Sequence, residues 1–291
     1  MRVGGLTIRV KSPPGLNFFH RERFTPFWCA SRHHDILWNF QLVDANNPPS
    51  MDATDDANDD PAIRLPPAGP PIRDTKPVRK RMERSGGPSE WVLCEEHADS
   101  FVMLDFKTHR MDMFFTPSAA RKASDRIATS ALLAPFLPGF DACMLHASAV
   151  VRGGRSALFL APDEGGKTTA ARLSPSGIIL GDDQVIVRRY GNKFRVSGTP
   201  WGLHINARDA YPLGGLFLLK KAAQFNLERL SIHELIPEIW KEINAPLSIL
   251  PKTLRKKAFS LVCDMADAAP VWRMSFPINA IDWAAVEKAM E

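Results

Sequence analysis

The stretch Leu158-Phe-Leu-Ala-Pro-Asp-Glu-Gly-Gly-Lys-Thr-Thr-Ala-Ala-Arg-Leu173 constrains the fold more than any other part of the chain. An apolar run, a glycine turn and a helix start follow one another without a spacer, which is the layout of a phosphate-binding loop between a strand and a helix. In such a loop the N–H groups of Gly165, Gly166 and Lys167 wrap a polyphosphate. Lys167 reaches the terminal phosphate oxygens, and the Thr168 hydroxyl ligates Mg²⁺ at a helix N-terminus whose dipole favours anions.

Composition narrows what surrounds that loop. A chain of 291 residues, 45% of them hydrophobic, can bury a sizeable core, and we expect two unequal lobes. The net charge of +5 is spread along the chain, which suits a nucleotide or an acidic partner and does not imply nucleic acid. No run has the length of a membrane span and the start lacks a secretory pattern, so a cytoplasmic protein is expected. Cys29, Cys94, Cys143 and Cys263 stand far apart with no C-x-x-C pair, which argues against a zinc site or a disulfide framework and predicts reduced, mostly buried thiols.

Residues 1–140 read as a β-rich lobe. Strands are expected at 4–10, 36–43, 91–94, 101–106 and 111–115, the later ones completing an antiparallel sheet, with a long flexible loop at about 44–88 where apolar residues are scarce. A helix capped by Thr116 or Ser118 should run to Pro138-Gly139.

Residues 141–291 read as the nucleotide-binding lobe. It should contain a strand at 144–151, the turn Arg152-Gly-Gly-Arg155, the return strand into the loop, and a short helix ending at Ser174-Pro-Ser-Gly177. A buried strand over 178–187 follows, broken by Asp182-Asp183, then a pairing strand at 193–198 and a central strand at 213–219. Ser231-Ile-His-Glu234 forms a capping box for a helix to about residue 243, and two further helices should occupy 250–265 and 281–290. The fold class is therefore α/β, with a central mixed sheet flanked by helices.

Two adjacent carboxylates inside an apolar run are costly to desolvate unless a cation or a proton transfer uses them. Their spacing is informative as well, because only one short helix separates Lys167 from Asp182-Asp183. Three parts in this order, His146-Ala-Ser-Ala-Val with its Gly-Gly turn, Gly165-Gly-Lys-Thr-Thr and Gly181-Asp-Asp-Gln-Val, resemble the HPr kinase/phosphorylase family and its relatives, whose core is akin to ATP-dependent phosphoenolpyruvate carboxykinase. A fourth segment, Gly202-Leu-His-Ile-Asn-Ala207, is loosely similar to the family's signature loop.

The resemblance implies an ATP-dependent kinase acting on a hydroxyl-bearing acceptor: a serine of a small protein or peptide, or a small metabolite. It implies Asp182 as general base, His146 orienting it, Lys167 on the phosphates, and Mg²⁺ held by Thr168 and Asp183. Nucleotide contacts fall on Ala161, Pro162, Asp163, Glu164, Gly165, Gly166, Lys167, Thr168 and Thr169, and relatives that assemble into rings make a homo-oligomer an expectation. This chain departs from the pattern at Ala161, where a glycine is expected, at Glu164, which sets a negative charge beside phosphate, and at Thr199-Pro-Trp201, where relatives carry Glu-Ile-Arg. Those departures keep a second reading open, a catalytically degenerate nucleotide-binding regulator of the same fold. A simple P-loop ATPase or GTPase fits the short lysine-to-aspartate spacing less well.

Overall fold

The computed structural model describes residues 1–12, 27, 29–42, 80–82, 91–97, 100–115, 133–174, 177–201, 209–245, 247 and 250–291. The chain divides into two compact units, one formed by described residues within 1, 7–21 and 30–128, the other by those within 2–6, 22–29 and 129–291. The expected flexible loop, most of the expected helix over 116–138, and the signature-like segment 202–207 lie outside the described residues. The described end of that helix is a turn at 133–136 followed by a 3-10 helix at Leu137–Phe140.

The first sheet contains β1 (Arg2–Val3), β2 (Leu6–Lys11), β3 (Ile36–Leu42), β4 (Lys80–Met82), β5 (Trp91–His97), β6 (Ser100–Asp105) and β7 (Arg110–Phe115), in the order β1-β2-β3-β7-β6-β5-β4. It is mixed, whereas an antiparallel sheet was expected. β3 runs parallel to both β2 and β7, and β4 to β7 form an antiparallel meander. Alternating side chains specify which face a residue takes but not strand direction, and the segments flanking β3 exceed the dozen residues a parallel crossover needs. The buried Asp112 is neutralised there by Arg110, whose Nε donates at 2.7 Å, and accepts a further hydrogen bond from the Asn39 amide at 2.7 Å.

The second unit contains β8 (Ala142–His146), β9 (Ser148–Arg152), β10 (Arg155–Leu160), β11 (Ile178–Gly181), β12 (Gln184–Tyr190), β13 (Lys193–Gly198), β14 (Ala210–Lys221), β15 (Asn226–Arg229) and β16 (Val271–Phe276). Its helices are α1 (Lys167–Arg172), α2 (Ile232–Lys241), α3 (Lys252–Ala268) and α4 (Trp283–Ala289). The nine-stranded sheet runs β11-β9-β10-β14-β13-β12-β8, with β16 beside β14 and β15 beside β16. β10, β14 and β16 form a parallel trio. β15 and β16 were not expected, because a six-residue strand with only partial alternation between two helical stretches gives a weak periodic signal.

Two expected strands are each two strands. The run 144–151 breaks at Ala147, and the run 178–187 breaks at Asp182-Asp183. β8 and β9 stand almost at opposite ends of the strand order, yet a single residue joins them. Two Cα atoms separated by one residue are at most about 7 Å apart, so the sheet must curl until its ends meet. β11 and β12 are joined across the same gap by two residues.

Pairing registers place both crossings at one rim. Gln184 opens β12 opposite His146, the last residue of β8. Gly181 closes β11 opposite Ala149, while Phe159 near the end of β10 lies opposite Ser148, the first residue of β9. The end of β10, from which the loop departs, therefore shares its rim with both crossings.

β10 is apolar on both faces because both are covered. Ala157 and Phe159 pack with Ala170 and Ala171 of α1 and with Trp283 and Val286 of α4, whereas Leu158 and Leu160 pack with Leu235 and Ile239 of α2 and with Leu261, Val262 and Met265 of α3. Among the described residues no helix is long and apolar enough to cross a membrane. Of the three cysteines whose burial is described, Cys143 is fully buried, which pushes its thiol up to about 12, and Cys29 and Cys263 are half-buried.

α2 begins with the reciprocal capping box: Ser231 accepts from the Glu234 N–H and the Glu234 carboxylate accepts from Ser231. Replacing the cap leaves one helix-terminal N–H without its side-chain acceptor. Ser231→Ala should lower the unfolding free energy by about 1 kcal/mol, measured by denaturant titration.

Candidate functional site

The loop after β10 closes on itself. Ala161 is buried, Gly165 donates its N–H to the Pro162 carbonyl at 3.0 Å, and α1 starts with the Ala170 N–H on the Gly166 carbonyl at 2.8 Å. A Cβ at Gly165 would lie 2.5 Å from the Ala161 Cβ and 2.8 Å from the Pro162 oxygen, so no other residue fits this turn. Gly166 takes φ 102°, a conformation only glycine adopts freely. The N–H of Gly165, expected on phosphate, is thus engaged within the loop.

Lys167 is 6% exposed and folds back over the turn. Its Nζ donates to the Ala161 carbonyl at 2.7 Å and to the Pro162 carbonyl at 3.3 Å. Its own carbonyl accepts from the buried Ser148 hydroxyl at 2.8 Å, which ties the start of α1 to the start of β9. In the sequence Ser148 reads only as part of a strand, so this tie was not foreseen. Asp163 and Glu164 project from the exposed part of the loop, and Thr169 follows Thr168 in the first turn of α1. Glu164 sits at φ 60°, in the left-handed region unusual for a residue with a side chain.

The two sheet crossings deliver the polar groups. Thr168 Oγ1 donates to the Asp182 carbonyl at 3.2 Å, which joins α1 to the carboxylate pair. Asp182 is 1% exposed, whereas the Asp183 side chain is 51% exposed. His146 turns its Nε2 to Asp183, at 3.0 Å from Oδ1, and 3.6 Å from Asp163 Oδ1 on the loop. The sequence expectation paired His146 with Asp182, but the imidazole faces the other carboxylate. The difference arises at the bend between β11 and β12, where Asp182 is buried and Asp183 half exposed.

His146 Nδ1 lies 3.1 Å from Oε2 of Glu242, the residue that caps the C-terminus of α2. Glu242 was not foreseen, because nothing in sequence links the end of a helix to a strand nearly a hundred residues earlier. Burial raises the Glu242 carboxyl above its ordinary value, against the pull of Lys167 and then His146.

Among the described residues no three His, Cys, Asp or Glu side chains converge as a metal cage. Mg²⁺ is commonly held by one or two protein ligands with the remainder from phosphates and water. The oxygens of Thr168, held on the Asp182 main-chain carbonyl, and of the half-exposed Asp183 are donors of the type such an ion takes.

No protein-family model and no curated protein matches the sequence. Among solved structures, the HPr(Ser) kinase/phosphatase from Coxiella burnetii is similar at 11% identity, over 50% of this chain and 91% of that chain, with a TM-score of 0.26. So distant a likeness assigns no chemistry, and the site's chemistry has to come from the side chains of this chain.

Glu164 and Glu242 each give a measurable outcome. Glu164→Gly removes a left-handed conformation that costs an L-residue about 1–2 kcal/mol, partly offset by the greater freedom of glycine in the unfolded chain. The net gain in unfolding free energy should be below about 1 kcal/mol, and denaturant titration reads it.

A carboxyl whose folded value is raised stabilises the fold fully below its unfolded value of 4.5, and that contribution is lost as pH rises through the raised folded value. Glu242→Gln should therefore flatten this part of the stability–pH curve and gain on the native protein as pH rises above 4.5. Thermal unfolding from pH 4 upward checks the sign.

Proposed function

We propose that the chain is an ATP-dependent kinase that transfers the γ-phosphoryl group to a hydroxyl of a peptide, small protein or metabolite, with residues 141–291 as its nucleotide-binding lobe. The observation that carries this reading is the single rim at which the glycine-turn loop, Thr168 beside Asp182, and His146 beside Asp183 come together. Phosphoryl transfer asks little covalent chemistry of a protein. It needs the phosphates positioned, their charge offset, and one carboxylate near the attacking hydroxyl.

Lys167 supplies the fixed cation once its Nζ leaves the Ala161 and Pro162 carbonyls for phosphate oxygens. Mg²⁺, when bound, offsets charge on the same oxygens, and Thr168 with the adjoining Asp182 would hold it. Asp183, half exposed and backed by His146, accepts the proton from the acceptor hydroxyl as its oxygen bonds to the γ-phosphorus and the bond to ADP breaks. This assignment exchanges the roles that the resemblance implies for the two aspartates. Its ground is access, because a base must reach an acceptor arriving from solvent and Asp182 is buried.

A second reading, a nucleotide-binding regulator without turnover, is favoured by two features. Glu164 sets a negative charge on the loop, and Lys167 is already satisfied by loop carbonyls.

The test uses γ-labelled ATP with a pool of seryl and threonyl peptides. Lys167→Ala should abolish transfer, and Asp183→Asn should lower kcat about 10²–10⁴-fold, with Asp182→Asn acting mainly through the Mg²⁺ concentration required. Transfer that survives both Lys167→Ala and Asp183→Asn refutes the kinase. Nucleotide-dependent thermal stabilisation, with no transfer to peptide and no hydrolysis, selects the regulator.

A further inference from the structure

The segment after α2 lies along the outer edge of β8 and grips it at three successive residues. The Glu242 carbonyl accepts from the His146 N–H at 2.7 Å, Ile243 forms an antiparallel bridge with Leu145, and the Asn244 N–H donates to the Met144 carbonyl at 2.9 Å. The residue that fixes the His146 main chain thus also places its carboxylate at the His146 Nδ1.

That placement is costly. The Glu242 side chain is only 13% exposed, and burial penalises its charge. It also stands at the C-terminal cap of α2, where the helix dipole disfavours an anion. A neutral polar residue would suit both the burial and the dipole better. What an acid provides here is an acceptor for the Nδ1–H. An imidazole held at one nitrogen has its other nitrogen aimed, and Nε2 then points at Asp183, 3.0 Å away. Carboxylates behind a functional histidine do the same at metal sites, where they fix ring orientation; between two carboxylates the ring bonds to both when each nitrogen carries a proton, Nδ1–H donating to Glu242 and Nε2–H to Asp183.

We propose that Glu242 is the positioning residue of this site: by accepting the Nδ1–H of His146 it holds the ring with Nε2 against Asp183. It touches neither acceptor nor nucleotide in this role and acts through the histidine. The consequence for turnover rests on the kinase reading, while the orientation of the ring does not.

The two are separated by measuring both in the full-length protein. In ¹⁵N-histidine-labelled protein, the His146 Nδ1–H should give an exchange-protected signal. That signal should be lost in Glu242→Ala and retained in Glu242→Gln, whose amide oxygen can accept the same bond. With γ-labelled ATP and the seryl peptide pool, Glu242→Ala should lower kcat about 10–100-fold with the KM for ATP unchanged, and Glu242→Gln should recover most of the loss. A protected signal that persists in Glu242→Ala overturns the proposal. So does a native kcat in Glu242→Ala where His146→Ala is impaired, or an equal loss in Glu242→Gln with its signal intact. Native protein that transfers to neither the peptide pool nor a set of small-molecule alcohols refutes the kinase alone, and the labelled histidine still decides the role of Glu242.

Discussion

The site depends on one topological constraint, the crossing of the chain between the two ends of a curled sheet, made twice at the same rim. A link of one residue at Ala147 and another of two at Asp182-Asp183 leave the sheet no choice but to bring its ends together. This also explains how an aspartate pair survives within the apolar run 178–187. The pair is not inside a strand, where each carboxylate would need its own neutralising partner, but at a crossing where one residue turns inward and the next outward. Asp182 takes the buried position beside Thr168, and Asp183 the half-exposed one beside His146.

What was legible in the sequence was local. The order strand, glycine turn, helix was recovered because a parallel strand covered on both faces reads as an unbroken apolar run, as β10 does from Ala157 to Leu160. The turn at Gly153-Gly154, with both φ values positive, and the capping box of α2 each carry a signature within four residues. Strand direction and sheet membership carry none. The amino-terminal sheet was expected to be antiparallel and is mixed, and 144–151 and 178–187 each read as one strand because hydrophobicity continues through the crossings. Glu242 shows the same limit at the site, since its link to His146 exists only once the end of α2 is laid along β8.

The loop shows how a local rule can be broken and still hold the motif together. Ala161 replaces an expected glycine without penalty because it follows directly on β10 without a positive φ, with its methyl group buried in the core that Phe159 and Ala170 share. The requirement for glycine moves to Gly165, whose missing Cβ leaves room for that same Ala161 methyl group. The two positions compensate each other, so the methyl group at 161 is evidence of a repacked turn and not of a decayed one.

Glu164 has no such compensation. Its left-handed backbone costs energy, and its charge opposes any anion in the turn. Lys167 meanwhile commits its charge to two loop carbonyls, each a weaker partner than a phosphate oxygen. An anion entering the loop gains Lys167 and meets Glu164, so net affinity depends on whether the glutamate swings out to solvent, where its side chain already has room. Crossing, histidine and carboxylates can be in order while this one residue sets how readily the turn takes an anion.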